Sequence, residues 1–334
     1  MIRFAKSSIL LLSLFFSFLI MPSFARAAGD LRAVQQILGT TGQLEDGVLL
    51  FRYPRSDIKV KIGGEPIPTA LGFGSWVAWK STGKAVVVTG DLALLEKEVD
   101  PVISVLQAAD LQMAGLHNRF FGERPRVMFL HIFGKGDASK LAEAVSNALS
   151  KTATPVATSE TAGASQPALS LDTKRIQEII GHPGQAIGGS FKVVVGRPGV
   201  RMQGIELPSS MGANSWAGFF GTNERAHVAG DVAMSEQEVN RVIKALQKGG
   251  IQVVALQNHM LNETPRVVFL HYWGTGAAEK LAQAVRAVFD EAKGPIKGSV
   301  QSAGSRGKPR VVSFVKGEMG YVRRERPRRQ QSER

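Results

Sequence analysis

Apolar residues recur along this chain with two different periods, and each change of period marks an element. In "LRAVQQILG", Leu31, Val34, Ile37 and Leu38 fall on one face of a helix that Gly39 stops. "GVLLFRYPR" and "IKVKIGG" favour strands, as do "GSWVAWK" and "AVVVTGDLAL". "EKEVDPVISVLQAAD" returns to helical spacing through Val99, Val102, Ile103 and Leu106, with acids in the first turn where the helix dipole favours them. Strands "LQMAGLHN" and "RVMFLHIFG" follow, joined by what reads as a tight hairpin turning around Gly122 to Pro125, and then a helix, "DASKLAEAVSNAL". The order strand, helix, strand, strand, helix predicts an α+β domain of ferredoxin-like flavour, a mostly antiparallel sheet backed by helices on one face.

The whole pattern then occurs a second time. "LHNRFFGERPRVMFLHIFGKGDASKLAEAV" from Leu116 lies over "LQNHMLNETPRVVFLHYWGTGAAEKLAQAV" from Leu256 with 17 of 30 columns identical, far above chance. At the same shift Ser75-Trp76 lies over Ser215-Trp216 and Gly90-Asp91 over Gly230-Asp231. Nearer the start, "VQQILGTTGQ" matches "IQEIIGHPGQ" with two residues more of offset, so the early strands absorb a length difference. The expected organisation is repeat 1 at residues 28–150, a linker rich in small and polar residues at 151–168, and repeat 2 at 169–292. Two such halves are expected to associate about a pseudo-twofold axis, with a shared cleft as the place for a site.

Charge refines the picture only at the ends. The formal net charge of +13 resolves into three bases in residues 1–27, a local +9 in residues 293–334, and a body of 26 bases and 25 acids. A core that read nucleic acid would carry its own basic face, so no nucleic-acid partner is expected. The tail is polar and Gly/Ser/Pro-rich, which predicts a largely disordered segment able to meet an anionic envelope surface. At the other end Arg3 and Lys6 precede an apolar run of 13 residues from Ile9 to Met21, then Pro22 and Ala25-Arg26-Ala27. That is the pattern of a signal peptide at 1–27, too short to span a bilayer, and it implies a periplasmic or secreted, soluble mature chain without a transmembrane segment. Cysteine is absent, which removes disulfides, thiolate nucleophiles and lipidation on cysteine.

The candidate chemistry lies in the repeated strand pair. If the hairpin centres on Glu123-Arg124, His117 and His131 oppose each other on one face, close enough to share a metal ion or ligand. In repeat 2 the aligned positions hold Gln257 and His271, with His259 diagonal to His271. His117, His131, His259 and His271 are therefore the candidate ligands for a divalent transition metal. Asn118, Asn258, Arg126 and Arg266 are candidate ligand-binding residues, the arginines reading first as partners of Glu123 and Glu263 and second as anion contacts. Asp91 and Asp231 read first as turn or cap residues, and with Glu238 as carboxylates able to complete a coordination shell or act as base. Ser75 and Ser215 lack a nucleophile-elbow context, and His182 and His227 have no counterpart in the other repeat.

These lines, "LHNRF", "GERPR", "FLHIFG" and "TGDLAL" with "LQNHM", "NETPR", "FLHYWG" and "AGDVAM", resemble an exported bacterial family of unknown function named after the lipoproteins LppY and LpqO. The resemblance covers roughly residues 30–292 and implies fold and compartment more than activity. It also shows two departures: Arg119 stands where the family motif has its second histidine, and Gln257 where it has its first. Three functions follow as expectations: a protein binding a metal ion or small ligand, a metal-assisted hydrolase, and an envelope module docking through its tail.

Overall fold

The computed structural model describes residues 30–155 and 169–293, together with the backbone of 314–317 and 320–323. The expected signal peptide, most of the linker and most of the tail lie outside the described residues. Repeat 1 runs α1 (Leu31–Leu38), β1 (Gln43–Glu45), β2 (Val48–Pro54), β3 (Lys61–Ile62), β4 (Glu65–Pro66), a 3-10 turn (Thr69–Leu71), β5 (Gly74–Ser81), β6 (Val86–Leu95), α2 (Glu96–Ala108), β7 (Gln112–Asn118), β8 (Glu123–Arg124), β9 (Val127–Gly136) and α3 (Ala138–Leu149). Repeat 2 runs α4 (Thr173–Ile180), β10 (Gly184–Ile187), β11 (Ser190–Gly196), β12 (Arg201–Met202), β13 (Ile205–Glu206), a 3-10 turn (Ser209–Met211), β14 (Asn214–Gly221), β15 (Ala226–Met234), α5 (Val239–Lys248), β16 (Gln252–Gln257), β17 (Glu263–Thr264), β18 (Val268–Gly276) and α6 (Ala278–Glu291). In the tail, β19 (Phe314–Gly317) and β20 (Gly320–Arg323) pair as an antiparallel hairpin.

Each repeat builds one six-stranded antiparallel sheet, in the orders β1-β2-β5-β6-β9-β7 and β10-β11-β14-β15-β18-β16. The crossover β6-α2-β7, with β9 inserted between its two strands, is the split unit of a ferredoxin-like domain. Helices cover one face only: Val34 of α1, Val102 and Leu106 of α2 and Leu141 and Val145 of α3 bury against Phe51, Val77, Trp79, Val88 and Leu130 of the sheet. Repeat 2 forms the matching core from Ile176, Val242, Leu246, Leu281 and Val285.

The other faces of the two sheets are closed by an exchange. In each repeat a small three-stranded sheet, β4-β3-β8 or β13-β12-β17, and the 3-10 turn after it form an arm. Leu71 and Phe73 from the first arm cluster with Trp216, Phe220 and Ala229 of repeat 2. Met202, Leu207 and Met211 from the second cluster with Leu50, Ala78, Val87 and Phe133 of repeat 1. The indoles complete the exchange: Trp216 comes within 3.3 Å of where a Cβ on Gly72 would lie, and Trp76 within 3.1 Å of one on Gly212. Both glycines have left-handed φ, +99° and +93°, so space and backbone conformation demand the same residue.

The expected tight hairpin is not formed. Residues 119–126 leave the main sheet so that β8 can pair with β3, and the chain returns at β9. The register is also two residues off the direct opposition of His117 and His131: His117 pairs with Phe129, and His131 with Gly115. Side chains alternate with a period of two, so this slip leaves both histidines on one face.

Candidate metal centre

Antiparallel registers place one row of side chains across the inner face of each sheet. In repeat 1 the row is Trp76, Asp91, His131 and Gly115, and in repeat 2 it is Trp216, Asp231, His271 and Ala255. Asp91 and Asp231 are thus buried mid-strand residues, which corrects their reading as turn or cap residues. Glu238 does not join them: it caps the start of α5 through Ser235 N and is held by buried Arg197 at 2.8 Å. Glu98 and Arg55 do the same in repeat 1. The Ser75 and Ser215 hydroxyls accept from the backbone N–H groups of Ala93 and Ala233 and are structural.

The four candidate histidines meet between the repeats. Nitrogens of His117, His259 and His271 all lie within 4.8 Å of one another. His259 Nε2 and His271 Nε2 are 3.4 Å apart, and His117 Nε2 is 2.7 Å from His131 Nε2. Behind the rings stand proton acceptors. His131 Nδ1 faces Asp91 at 3.7 Å, His271 Nδ1 faces Asp231 at 3.6 Å, and His117 Nδ1 is 2.9 Å from the Asn118 carbonyl. Only the His117 contact is of hydrogen-bond length; the Asn118 carbonyl favours the tautomer of His117 protonated at Nδ1 and turns its Nε2 lone pair toward the cluster, as metal-ligating histidines require.

Electrostatics agree. Burial, with the charge of His131 adding to it, pulls His117 down to about 3. Burial and then Arg119 bring His131 to about 3. Burial likewise holds His259 and His271 well below the ordinary histidine range. The imidazoles are neutral at pH 7, the form that binds metal. Burial also pushes the Asp231 carboxyl well up. Asp91 Oδ1, Asp231 Oδ1 and His271 Nδ1 are buried and make no hydrogen bond.

Arg119 was absent from the sequence-derived candidates. It occupies the register of His259, bonds Asp91 at 2.5 Å and the Gly72 carbonyl at 2.8 Å, and lies 3.9 Å over the Phe129 ring. His259 stacks on the aligned Phe269 at 3.8 Å, so the two repeats hold a guanidinium and an imidazole on equivalent platforms. The repeat alignment contained the signal, an arginine set against a histidine. Above Asp91, Arg119, His131, Asp231 and His259 opens a cavity of about 760 Å³ between the repeats.

The other candidates stand aside from this cavity. Asn118 bonds the Phe120 carbonyl, Arg126 lies 3.9 Å from Glu96, and Arg266 lies 3.7 Å from Glu263. Neither these nor Asn258 lines the cavity. His227 packs between Phe220 and Trp273 and bonds Thr275, and His182 takes no part in the cluster.

Fold and site together define a tandem α+β protein with a histidine cluster at its internal pseudo-twofold. The chain belongs to the family described as Domain of Unknown Function (DUF1259), which matches residues 32–151 and again 174–291. No curated protein matches the sequence. Among solved structures it is similar to the trimeric bacterial microcompartment shell protein PduB, with 13% identity, 75% of this chain and 89% of that one covered, and a TM-score of 0.19. It is also similar to EtuB from Clostridium kluyveri, with 10% identity, 74% and 90% covered, and a TM-score of 0.18. At these TM-scores neither bears on fold or function. Among the described residues no helix is long and apolar enough to cross a membrane.

Proposed function

We propose that the chain is an exported protein of the LppY/LpqO kind whose two repeats jointly hold a divalent transition metal ion, with a small ligand in the cavity beside it. His117, His259 and His271 are the ligands, His131 stands against them, and Asp91 and Asp231 orient the rings. The observation that carries this reading is the convergence of neutral imidazoles from both repeats, with acceptors behind them. Two nitrogens bound at about 2.0–2.1 Å to a tetrahedral ion lie about 3.4 Å apart, which fits the His259–His271 spacing. Imidazole donors suit zinc, copper or nickel better than magnesium or calcium. Export is supported by the leader-like N-terminus, and the local +9 of the tail favours contact with anionic envelope polymers or headgroups.

A hydrolytic reading comes second. It is favoured by Asp231, whose Oδ1 makes no hydrogen bond and which lines the cavity where a general base would be needed.

The test is metal analysis and calorimetric titration of the full chain with zinc, nickel and copper, beside His117→Ala/His271→Ala. One ion per chain, lost in the variant, is the expected result. A folded wild type that takes up none of the three would end the metal reading.

A further inference from the structure

The cavity is symmetric in its walls and asymmetric in its charge. Lys192 of β11 pairs with Gly218 in the sheet, the place that Leu50, opposite Ala78, takes in repeat 1. The fold therefore has no need of a cation there. The ammonium sits 4.3 Å from the Trp216 ring centre and lines the cavity, with no carboxylate within ion-pair distance among the described residues. The side chain is half-buried, and withdrawing an ammonium even partly from water is costly unless something anionic meets it. Burial, together with Arg119 and Arg52, also lowers the Lys192 pKa to about 8.

Arg119 adds a second donor. Its two terminal nitrogens are taken by Gly72 and Asp91, while Nε is buried without a hydrogen-bond partner. Arg52, near the mouth, is already committed to Glu45 at 3.1 Å. Each terminal nitrogen carries two N–H groups and spends one, so Arg119 keeps three N–H groups uncommitted beside the Lys192 ammonium. That suits the two oxygens of a single carboxylate. A phosphate dianion would confront Asp91 and Asp231 with twice the charge of a carboxylate. Leu50, Trp76, Val194, Ile187 and Trp216 make the surrounding wall apolar, and the volume falls in the range of small-molecule pockets.

We propose that this cavity binds a small carboxylate with an apolar body, its carboxylate held by Lys192 and Arg119 and its body packed between Trp76 and Trp216. This names the chemistry of the small ligand in the binding reading above, and it does not depend on the metal.

The experiment titrates the full chain, metal-free and zinc-loaded, with benzoate, hexanoate and indole-3-acetate, with benzyl alcohol and inorganic phosphate as controls. Tryptophan fluorescence and calorimetry are the readouts. At least one carboxylate should saturate and outbind both controls. Lys192→Met should weaken it about tenfold or more, the scale of one charge-assisted hydrogen bond, while Lys192→Arg retains most of the affinity. Failure of all three carboxylates, tighter binding of phosphate, or an unchanged Lys192→Met variant would overturn the proposal. Carboxylate binding without zinc uptake would remove the metal and leave this site standing. Zinc uptake without carboxylate binding would do the reverse.

Discussion

Repeat 1 brings His117, Arg119 and His131 to the histidine cluster, and repeat 2 brings Gln257, His259 and His271 from the aligned positions. Each set is anchored on a buried aspartate, but the anchors are balanced differently. Asp91 has a guanidinium at 2.5 Å, whereas Asp231 has only imidazoles, at 3.5 and 3.6 Å. One half carries its cation covalently, and the other leaves a buried carboxylate behind neutral rings. The difference sets a charged pair, Asp91–Arg119, in repeat 1 against a carboxyl in repeat 2 that burial pushes toward its protonated form, with His259 and His271 3.4 Å apart beside it.

The comparison can be broken most forcefully at Arg119. Arg119→Met strands the buried Asp91 charge and should cost about 3–5 kcal/mol in urea unfolding, as does removing one partner of a buried ion pair. His259→Ala should cost clearly less when measured without metal, because the ring it removes is neutral. Equal losses would mean that the two half-sites are balanced alike.

Next in size is a steric contrast between aligned glycines. A Cβ on Gly230 would collide with the Tyr272 hydroxyl and the Trp216 carbonyl, whereas one on Gly90 meets the Trp76 carbonyl at 2.8 Å and the flexible end of Ile132. Gly230→Ala should therefore lose about 3 kcal/mol and Gly90→Ala less, read from the shift in denaturation midpoint.

A pH titration sharpens the electrostatic side. The unfolded chain protonates its histidines near 6.5, while folded His117 and His131 resist until about 3. The unfolded state binds more protons across that window, so stability is full above pH 6.5 and falls as pH drops toward 3. Asp231, pushed up by burial, has the opposite slope above its ordinary range, one group against four imidazoles. Metal affinity should stay nearly flat from pH 7 down to about 5, where an ordinary histidine site would already have weakened. A loss of metal centred near 6.5 would show that the rings are not held neutral. The smallest effect is expected at the exposed inter-repeat pair Arg225–Glu65, 3.4 Å apart, where Arg225→Ala should change stability by less than about 1 kcal/mol.

The duplication was legible as a long self-match, the helices by their amphipathic period, and central strands such as β6 and β15 as near-continuous apolar runs, which burial on both faces requires. The convergence of the histidines was legible because a register error of two residues leaves faces unchanged. The arms were not. β3, β4 and β8 are two residues long, too short for periodicity, and what fixes them is the sheet of the other repeat. That non-local partner is also why "GERPR" read as a tight turn when it is part of an arm. Asp91 and Asp231 were misread because a carboxylate after glycine usually marks a turn, and only the three-strand register exposes them as members of a buried row. Arg119 and Lys192 were overlooked because each looks like an ordinary surface base until the second sheet covers it.

The exchanged arms have a consequence for how such a centre could diverge. Two identical copies of one repeat, assembled about a true twofold, would be forced to carry the same side chain at the positions of Arg119 and His259, and again at Leu50 and Lys192. Joining the copies in one chain lifts that constraint, and every mutation then falls on one half alone. Interlocking through Trp76, Trp216, Leu71 and Met211 keeps the halves inseparable while their chemistry drifts apart. In this chain covalent fusion has become a licence for asymmetry, letting one half specialise in permanent charge while its twin keeps the rings.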